Sequence, residues 1–261
     1  MPAAKRRPVA PANADERPGV ALEETRHPRT GEPAEGAVRS RHYRRAQRDR
    51  GAETRARLIE AALDVFGRFG FEGASTRQIA KEAGANLAAI VYHFGSKEAL
   101  HIAVAEHIAK RIHERVGAAI IAASVPDAAA TPAAARAALN RLFETYADVM
   151  LGTAEAERWA RFIVREQMQP TAAFEVIYAY MGNSHGVGCR LVGVVLGRDP
   201  AEESLRLLVF AMFGQVLVFR VAQALVLRRL GWPSIGERER TEIKRIIIAN
   251  VDAILTAEGR T

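Results

Sequence analysis

The chain of 261 residues has a single cysteine, Cys189. No internal disulfide is possible, so packing alone must hold the fold, which suits a reducing compartment and predicts a cytoplasmic protein. Aromatic residues make up only 7%, and no stretch shows the apolar/polar alternation of a half-buried strand. Enzyme signatures are missing as well. There is no G-x-S-x-G elbow, no phosphate loop and no H-E-x-x-H, and Cys189 has no motif partner, so the sequence predicts no enzyme, no catalytic residue and no cofactor. The amino-terminal segment lacks the apolar core of a secretory signal, and its several acids argue against a transit peptide.

What is present is a hydrophobic share of 49%, enough for a sizeable core, and a formal charge of +7. Such a balance favours a polyanionic partner, nucleic acid or an anionic membrane surface, and does not choose between them. Met1 to about Arg50 is rich in Pro, Ala, Arg and Glu and predicts a disordered basic tail. Its end, RSRHYRRAQRDR, reads equally as a solvated charge run and as an arm that binds phosphates.

Helical periodicity begins at Thr54. Leu58, Ala61, Ala62, Val65, Phe66 and Phe69 define one apolar face of a helix ending near Gly70. Ser75, followed three places on by Gln78, gives the capping-box pattern for a second helix burying Ile79, Ala80 and Ala83. Gly84 stops it, and Asn86 caps a third helix that is too short to be stable alone. Two short helices joined by a glycine-containing turn form a helix-turn-helix, whose second member can enter the major groove of double-stranded DNA. Spacing places Leu87, Ile90, Val91 and Phe94 inward and leaves Ala88, Ala89, Tyr92 and His93 outward. The alanines make a flat surface for a groove, while Tyr92 and His93 reach phosphates. Ser75 and Thr76 stand near phosphates at the second helix start, and Arg77 faces outward to read a base edge or touch the backbone. Ser96 caps a fourth helix, with Lys97 in its first turn where a phosphate meets both the ammonium and the helix dipole.

The segment LIEAALDVFGRFGFEGASTRQIAKEAGANLAAIVYHFGSKEAL, Leu58 to Leu100, resembles the DNA-binding domain of the TetR family of bacterial transcriptional regulators. Its T-x-x-x-I-A-x-x-A-G and Y-x-H-F-x-x-K-E-x-L elements carry the likeness, and Asn86-Leu87-Ala88 departs from the Ser-x-Gly often found there. The resemblance implies an all-α homodimer that binds an inverted-repeat operator and releases it when a small-molecule inducer occupies the C-terminal domain. The segment RFIVREQMQPTAAFEVIY is similar to the ligand-domain signature of the CecR or CerR subgroup. The domains expected are a helix-turn-helix domain over 51–100 and a helical ligand-binding and dimerisation domain over 101–261.

Helical pattern continues from His101 to Ala123, from Pro132 to Met150 and from Glu155 to Met168. After Pro170 the sequence suggests a Gly-Asn-Ser turn at 182–184 and a helix from His185 to Leu196. Arg165, Met168, Phe174, Tyr178 and Met181, with the charge of Glu166 beside Arg165, combine apolar and polar character in the way small-molecule pockets do, although ordinary core positions would read alike. The run LLVFAMFGQVLVFRVAQALVL predicts the longest helix. A membrane span is its rival reading, opposed by Arg220 with Gln215 and Gln223 in mid-run. The last helix carries Ile243, Ile246, Ile247, Val251, Ile254 and Leu255 as one stripe, expected to form a four-helix dimer seam with the helix before it. His101, His107 and His113 are spaced so that each turns away from the next, so no metal site is expected. The sequence thus predicts a ligand-responsive repressor with no membrane role. A basic peripheral membrane protein would explain the charge but not the helix-turn-helix, and an activator would use the same DNA-binding domain.

Overall fold

Short polar residues punctuate this chain at the positions helix ends require. Ser75, Asn86, Ser96, Thr131 and Thr153 each accept a hydrogen bond from the backbone N–H three residues on, satisfying donors that the first helical turn leaves unpaired. The computed structural model describes residues 35–260, with side chains from Asp49 onward. All regular structure among them is helical. The elements are α1 (Glu35–Gly73), α2 (Thr76–Glu82), α3 (Leu87–Phe94), α4 (Lys97–Ser124), a 3₁₀ turn (Pro126–Ala129), α5 (Pro132–Leu151), α6 (Ala154–Met168), α7 (Phe174–Leu196), α8 (Glu203–Val221), α9 (Gln223–Leu230) and α10 (Glu237–Glu258). The tail expected to be disordered lies outside the described residues as far as residue 34, and residues 35–50 are helical.

Helix α1 breaks where glycine allows it. Gly70 adopts φ 73° and ψ 179°, open only to a residue without Cβ, and this ends the regular helix that carries the Leu58–Phe66 face. Leu58, Val65 and Phe66 pack with Ile79, Ile90, Leu100 and Val104 in one core. Phe69, expected on that face, is 46% exposed and lies under the Arg68 guanidinium.

In the C-terminal half α5 is central, packing against α4, α6, α7, α8 and α10. Phe143, Leu139, Trp159 and Leu191 are fully buried there. Three expectations are corrected. The Gly-Asn-Ser segment at 182–184 is the middle of the continuous helix α7, because packing of Ile177 before it and Val187 after it outweighs the roughly 1 kcal/mol penalty of an internal glycine. The apolar run is divided at Ala222 into α8 and α9 and is not the longest helix. Finally, Ile243, Ile247, Val251 and Leu255 are buried within the subunit, since α10 turns this stripe onto α5 and α7.

The apolar surface left over belongs chiefly to α8. Leu205, Val209, Met212, Val216 and Arg220 point inward, while Leu207, Phe210, Val218 and Val221 are each more than half exposed along the opposite side. Helix α8 is long and apolar enough to cross a membrane by length and composition, yet its inward stripe is part of the subunit core.

Candidate nucleic-acid interface and effector groove

The helix-turn-helix is built by local chemistry. Ser75 Oγ accepts from Gln78 N–H at 3.1 Å, fixing the start of α2, and Asn86 Oδ1 accepts from Ala89 N–H at 2.8 Å, fixing the start of α3. The Gln78 side chain turns to Glu82 rather than closing a capping box. Between the helices Gly84, at φ 59°, makes the left-handed turn that reverses the chain.

Helix α3 buries Ile90, with Ala89, His93 and Phe94 half-buried beside it. Its outer face therefore consists of Leu87, Ala88, Val91 and Tyr92, which is a correction of phase. Leu87 and Val91 were expected inward but are 44% and 63% exposed, because an eight-residue helix wedged between α2 and α4 needs only one deep anchor. Tyr92 is 84% exposed, with its ring edge-on to His93 at 4.9 Å. His93 lies beside Gly51 of α1.

The remaining predicted positions fall around this face. Ser75 and Asn86 are exposed caps, Thr76 is half-buried, and Arg77 is exposed with no ion pair among the described residues. Lys97 is half-buried, its ammonium 4.5 Å from the Phe71 ring centre, so a phosphate would compete with a cation–π contact. Glu98 beside it is held below the ordinary carboxylate range, first by a backbone hydrogen bond and then by Ser96. The three histidines diverge: His101 is buried, His107 meets Glu60 at 3.1 Å, and His113 stacks on its own helix at Gly117.

Helix α6 connects this region to the rest of the subunit. Arg158 bonds to Asp64 at 2.6 Å, Glu60 Oε2 at 2.8 Å and the Glu60 carbonyl at 2.9 Å, all on α1. Arg165 donates to the carbonyls of Gly67 (2.8 Å) and Arg68, at the end of α1 that the Gly70 break leaves open. Farther along, Glu166 accepts from Thr171 N–H and Oγ and faces His101 at 3.5 Å. His101 is enclosed by Phe66, Phe71 and Phe162, and burial first, then the Lys97 charge, lowers its pKa to about 4.

A groove of about 850 Å³ runs between the end of α1, helix α6 and the α8–α9 junction. Of the five predicted ligand residues, Arg165 and Met168 line it, whereas Phe174, Tyr178 and Met181 do not. Tyr178 and Met181 stand on an exposed stripe of α7, whose inward side is filled by Ile177, Val187 and Leu191. Apolar character marked these residues out, but only the fold decides which stripe turns inward. Arg220, on the groove wall, is a residue the pocket reading missed, although it stood out as a lone charge in an apolar run.

A helix-turn-helix presenting an exposed second helix, attached through α6 to a larger helical body, defines a DNA-binding transcription regulator. Residues 58–104 match the family profile described as bacterial regulatory proteins, tetR family, and residues 135–258 match the C-terminal domain of the HTH-type transcriptional dual regulator CecR. The chain is 32% identical over 213 residues to the HTH-type transcriptional dual regulator CecR of Shigella flexneri, covering 79% of this chain and 93% of that one. Among solved structures, a transcriptional regulator from Pseudomonas aeruginosa PAO1 superimposes with a TM-score of 0.57 at 21% identity, covering 79% of this chain and 92% of that one. AibR in complex with isovaleryl coenzyme A and operator DNA does so with a TM-score of 0.55 at 14% identity, covering 75% and 96%. The chain belongs to the TetR family of transcriptional regulators, which are not enzymes.

Proposed function

We propose that the chain is a cytoplasmic, homodimeric regulator that binds an inverted-repeat operator through α3 and releases it when a small molecule binds the C-terminal domain. Repression is the reading we adopt; an activator would use the same interface. The exposed outer face of α3, with Tyr92 at 84%, carries the reading, since a helix this short gains nothing in stability from presenting Leu87, Ala88, Val91 and Tyr92 to water. Ala88 and Val91 press on base edges, while Tyr92, His93, Arg77, Thr76 and the caps Ser75 and Asn86 lie where the phosphate walls would pass. Lys97 leaves the Phe71 ring to reach a phosphate.

The domains are taken as 51–100 for DNA binding and 101–261 for effector binding and dimerisation. The second subunit covers the outer side of α8, whose apolar stripe is too extensive to leave in water. The two recognition helices then sit about 34 to 36 Å apart, or at a related spacing. An effector acts only if it binds one arrangement of α6 and α1 better than the other, and Arg158 and Arg165 are the bonds such a change would remake. The test is fluorescence anisotropy of the purified dimer on the DNA upstream of its own gene. Tight, salt-sensitive binding to an inverted repeat is expected, and affinity no better than for random DNA refutes the reading.

A further inference from the structure

Two arginines on the groove at the α8–α9 junction make no ion pair among the described residues, and Glu157 is the one carboxylate whose charge acts on Arg220. Arg220 is 7% exposed and donates to the Met150 carbonyl at 2.6 Å, to Gln223 Oε1 at 2.8 Å and to the Thr153 carbonyl at 3.5 Å, with no carboxylate in ion-pair range among the described residues. Arg165, across the groove, bonds only to carbonyls of α1. A buried cation whose direct bonds all go to neutral carbonyls, with Glu157 acting only at longer range, is costly, and replacing it by an apolar residue would normally stabilise a fold. Arg161 and Arg68 add two further guanidiniums to the lining, Arg161 paired with Glu157 at 3.6 Å and Arg68 with Glu82. Val164, Met168, Val221 and Leu227 supply an apolar wall between them. The volume is that of a small-molecule site, and the two lining guanidiniums outside ion pairs, Arg165 and Arg220, carry charge of the same sign.

We propose that this groove is the effector site and that it takes an amphipathic organic anion, with its head group held by Arg220 and Arg165 and its apolar body on Val164, Met168 and Leu227. The proposal rests on the reading that an effector releases the operator, and it gives that reading a device. A charged head group forms stronger hydrogen bonds with a guanidinium than a neutral carbonyl does. An anion therefore draws Arg165 from the carbonyls of Gly67 and Arg68, and the end of α1 loses its tie to α6. The groove is open at the surface, so the competing occupant is a second copy of the chain, which would exclude the anion from the dimer.

The experiment titrates the full-length dimer with decanoate and decyl phosphate, and with decan-1-ol as the neutral match, by calorimetry and by release from labelled operator. Both anions are expected to bind about tenfold or more tightly than the alcohol and to release the operator. A preference between the two distinguishes a carboxylate from a phosphate effector, and either supports the site. Arg220→Met should lose about tenfold in decanoate affinity with alcohol affinity unchanged, while Arg220→Lys keeps most of it. If the buried substitution fails to fold, Arg161→Gln, at a side chain 48% exposed, should still weaken both anions about threefold. Equal affinity for anion and alcohol, no anion binding to a dimer that holds its operator, or binding indifferent to Arg220 and Arg161 overturns the site and leaves the regulator reading intact. Anion binding without release overturns the Arg165 device. Absence of operator binding itself would remove the regulator reading instead.

Discussion

His101 and Glu166 face each other at 3.5 Å with side chains 3% and 4% exposed, joining the second turn of α4 to the end of α6. Thr171 completes the cluster, its hydroxyl 3.3 Å from His101 Nδ1 and donating to Glu166 Oε2 at 2.9 Å. Three phenylalanine rings close round the imidazole. Lys97 and Tyr92 lie one turn and a short loop before His101, so the same helix start carries a proposed phosphate contact and the buried polar cluster. A shift of α6 against α4 has to break or carry this cluster with it.

The cluster makes stability depend on pH. Burial and the Lys97 charge bring His101 from 6.5 to about 4 in the folded chain, so the unfolded chain takes up the proton first. Stability present above 6.5 is therefore lost as pH falls from there towards 4, on the order of 2 kcal/mol by pH 5 at about 1.36 kcal/mol per pKa unit. Urea melts at pH 7.5 and pH 5 should show this loss, and His101→Gln should remove most of it. An unchanged slope in that variant would place the acid sensitivity elsewhere.

On α3 the phase correction alters which substitution tests DNA binding. Ala89 is half-buried against the core, so a charge there would strain the fold, whereas Ala88 is exposed. Ala88→Glu puts a carboxylate against the duplex and should weaken operator binding about a hundredfold or more with unchanged circular dichroism, because like charges across an interface cost several kcal/mol. Tyr92→Ala should cost about tenfold and no thermal stability, given how little of the ring is buried. Log affinity against log salt should be linear with a steep negative slope. Ala88→Glu with wild-type affinity would mean that another helix reads the DNA.

What the sequence made legible was governed by local chemistry. Ser75, Asn86 and Ser96 cap as read because a side chain and an N–H three residues on are all a cap needs. Gly70 and Gly84 mark breaks because their φ values are closed to other residues. Gly182 misled for the converse reason, since nothing crowds it and both flanks of α7 are packed. Leu87 and Val91 were misphased because burial of so short a helix depends on how α2 and α4 clasp it. Tertiary relations were beyond reach: His101 and Thr171 meet across 70 residues of sequence. The groove likewise joins α1, α6, α8 and α9, and only its Arg165 and Met168 were anticipated.

The salt links between α6 and α1 should carry coupling more than affinity. Arg158 is 25% exposed and bridges Asp64 and Glu60. Arg158→Gln removes two charge-assisted bonds and should cost about 1 to 3 kcal/mol in chemical denaturation. It should also leave the released and operator-bound arrangements closer in free energy, seen as weaker release at a given effector concentration. Release with wild-type amplitude and midpoint would show that α6 communicates with α1 by another path.

The buried stripe of the last helix is not available to a second subunit, so the proposed dimer needs another face. Ile247 is 1% exposed inside the subunit, so Ile247→Asp buries an unpaired charge and should cost about 4 kcal/mol or more, giving unfolding and not clean monomers. The outer side of α8 is the distinguishing place. Phe210 and Val218 are 60% and 51% exposed and share a stripe with Leu207 and Val221, and Gly214 between them leaves open space for a close neighbour. Adjacent to this stripe, Gln215 accepts a hydrogen bond from Asn250 of α10 at 3.1 Å, holding the two helices side by side. A carboxylate at position 210 or 218 would be desolvated if a second subunit lies there and merely solvated if none does. Phe210→Asp and Val218→Asp should therefore yield folded monomers by light scattering at micromolar concentration, with helical content preserved and operator affinity reduced because each subunit then holds a single half-site. If both variants remain dimers that bind operator normally, the two-fold axis runs through some other surface, and the α8 stripe needs a different partner.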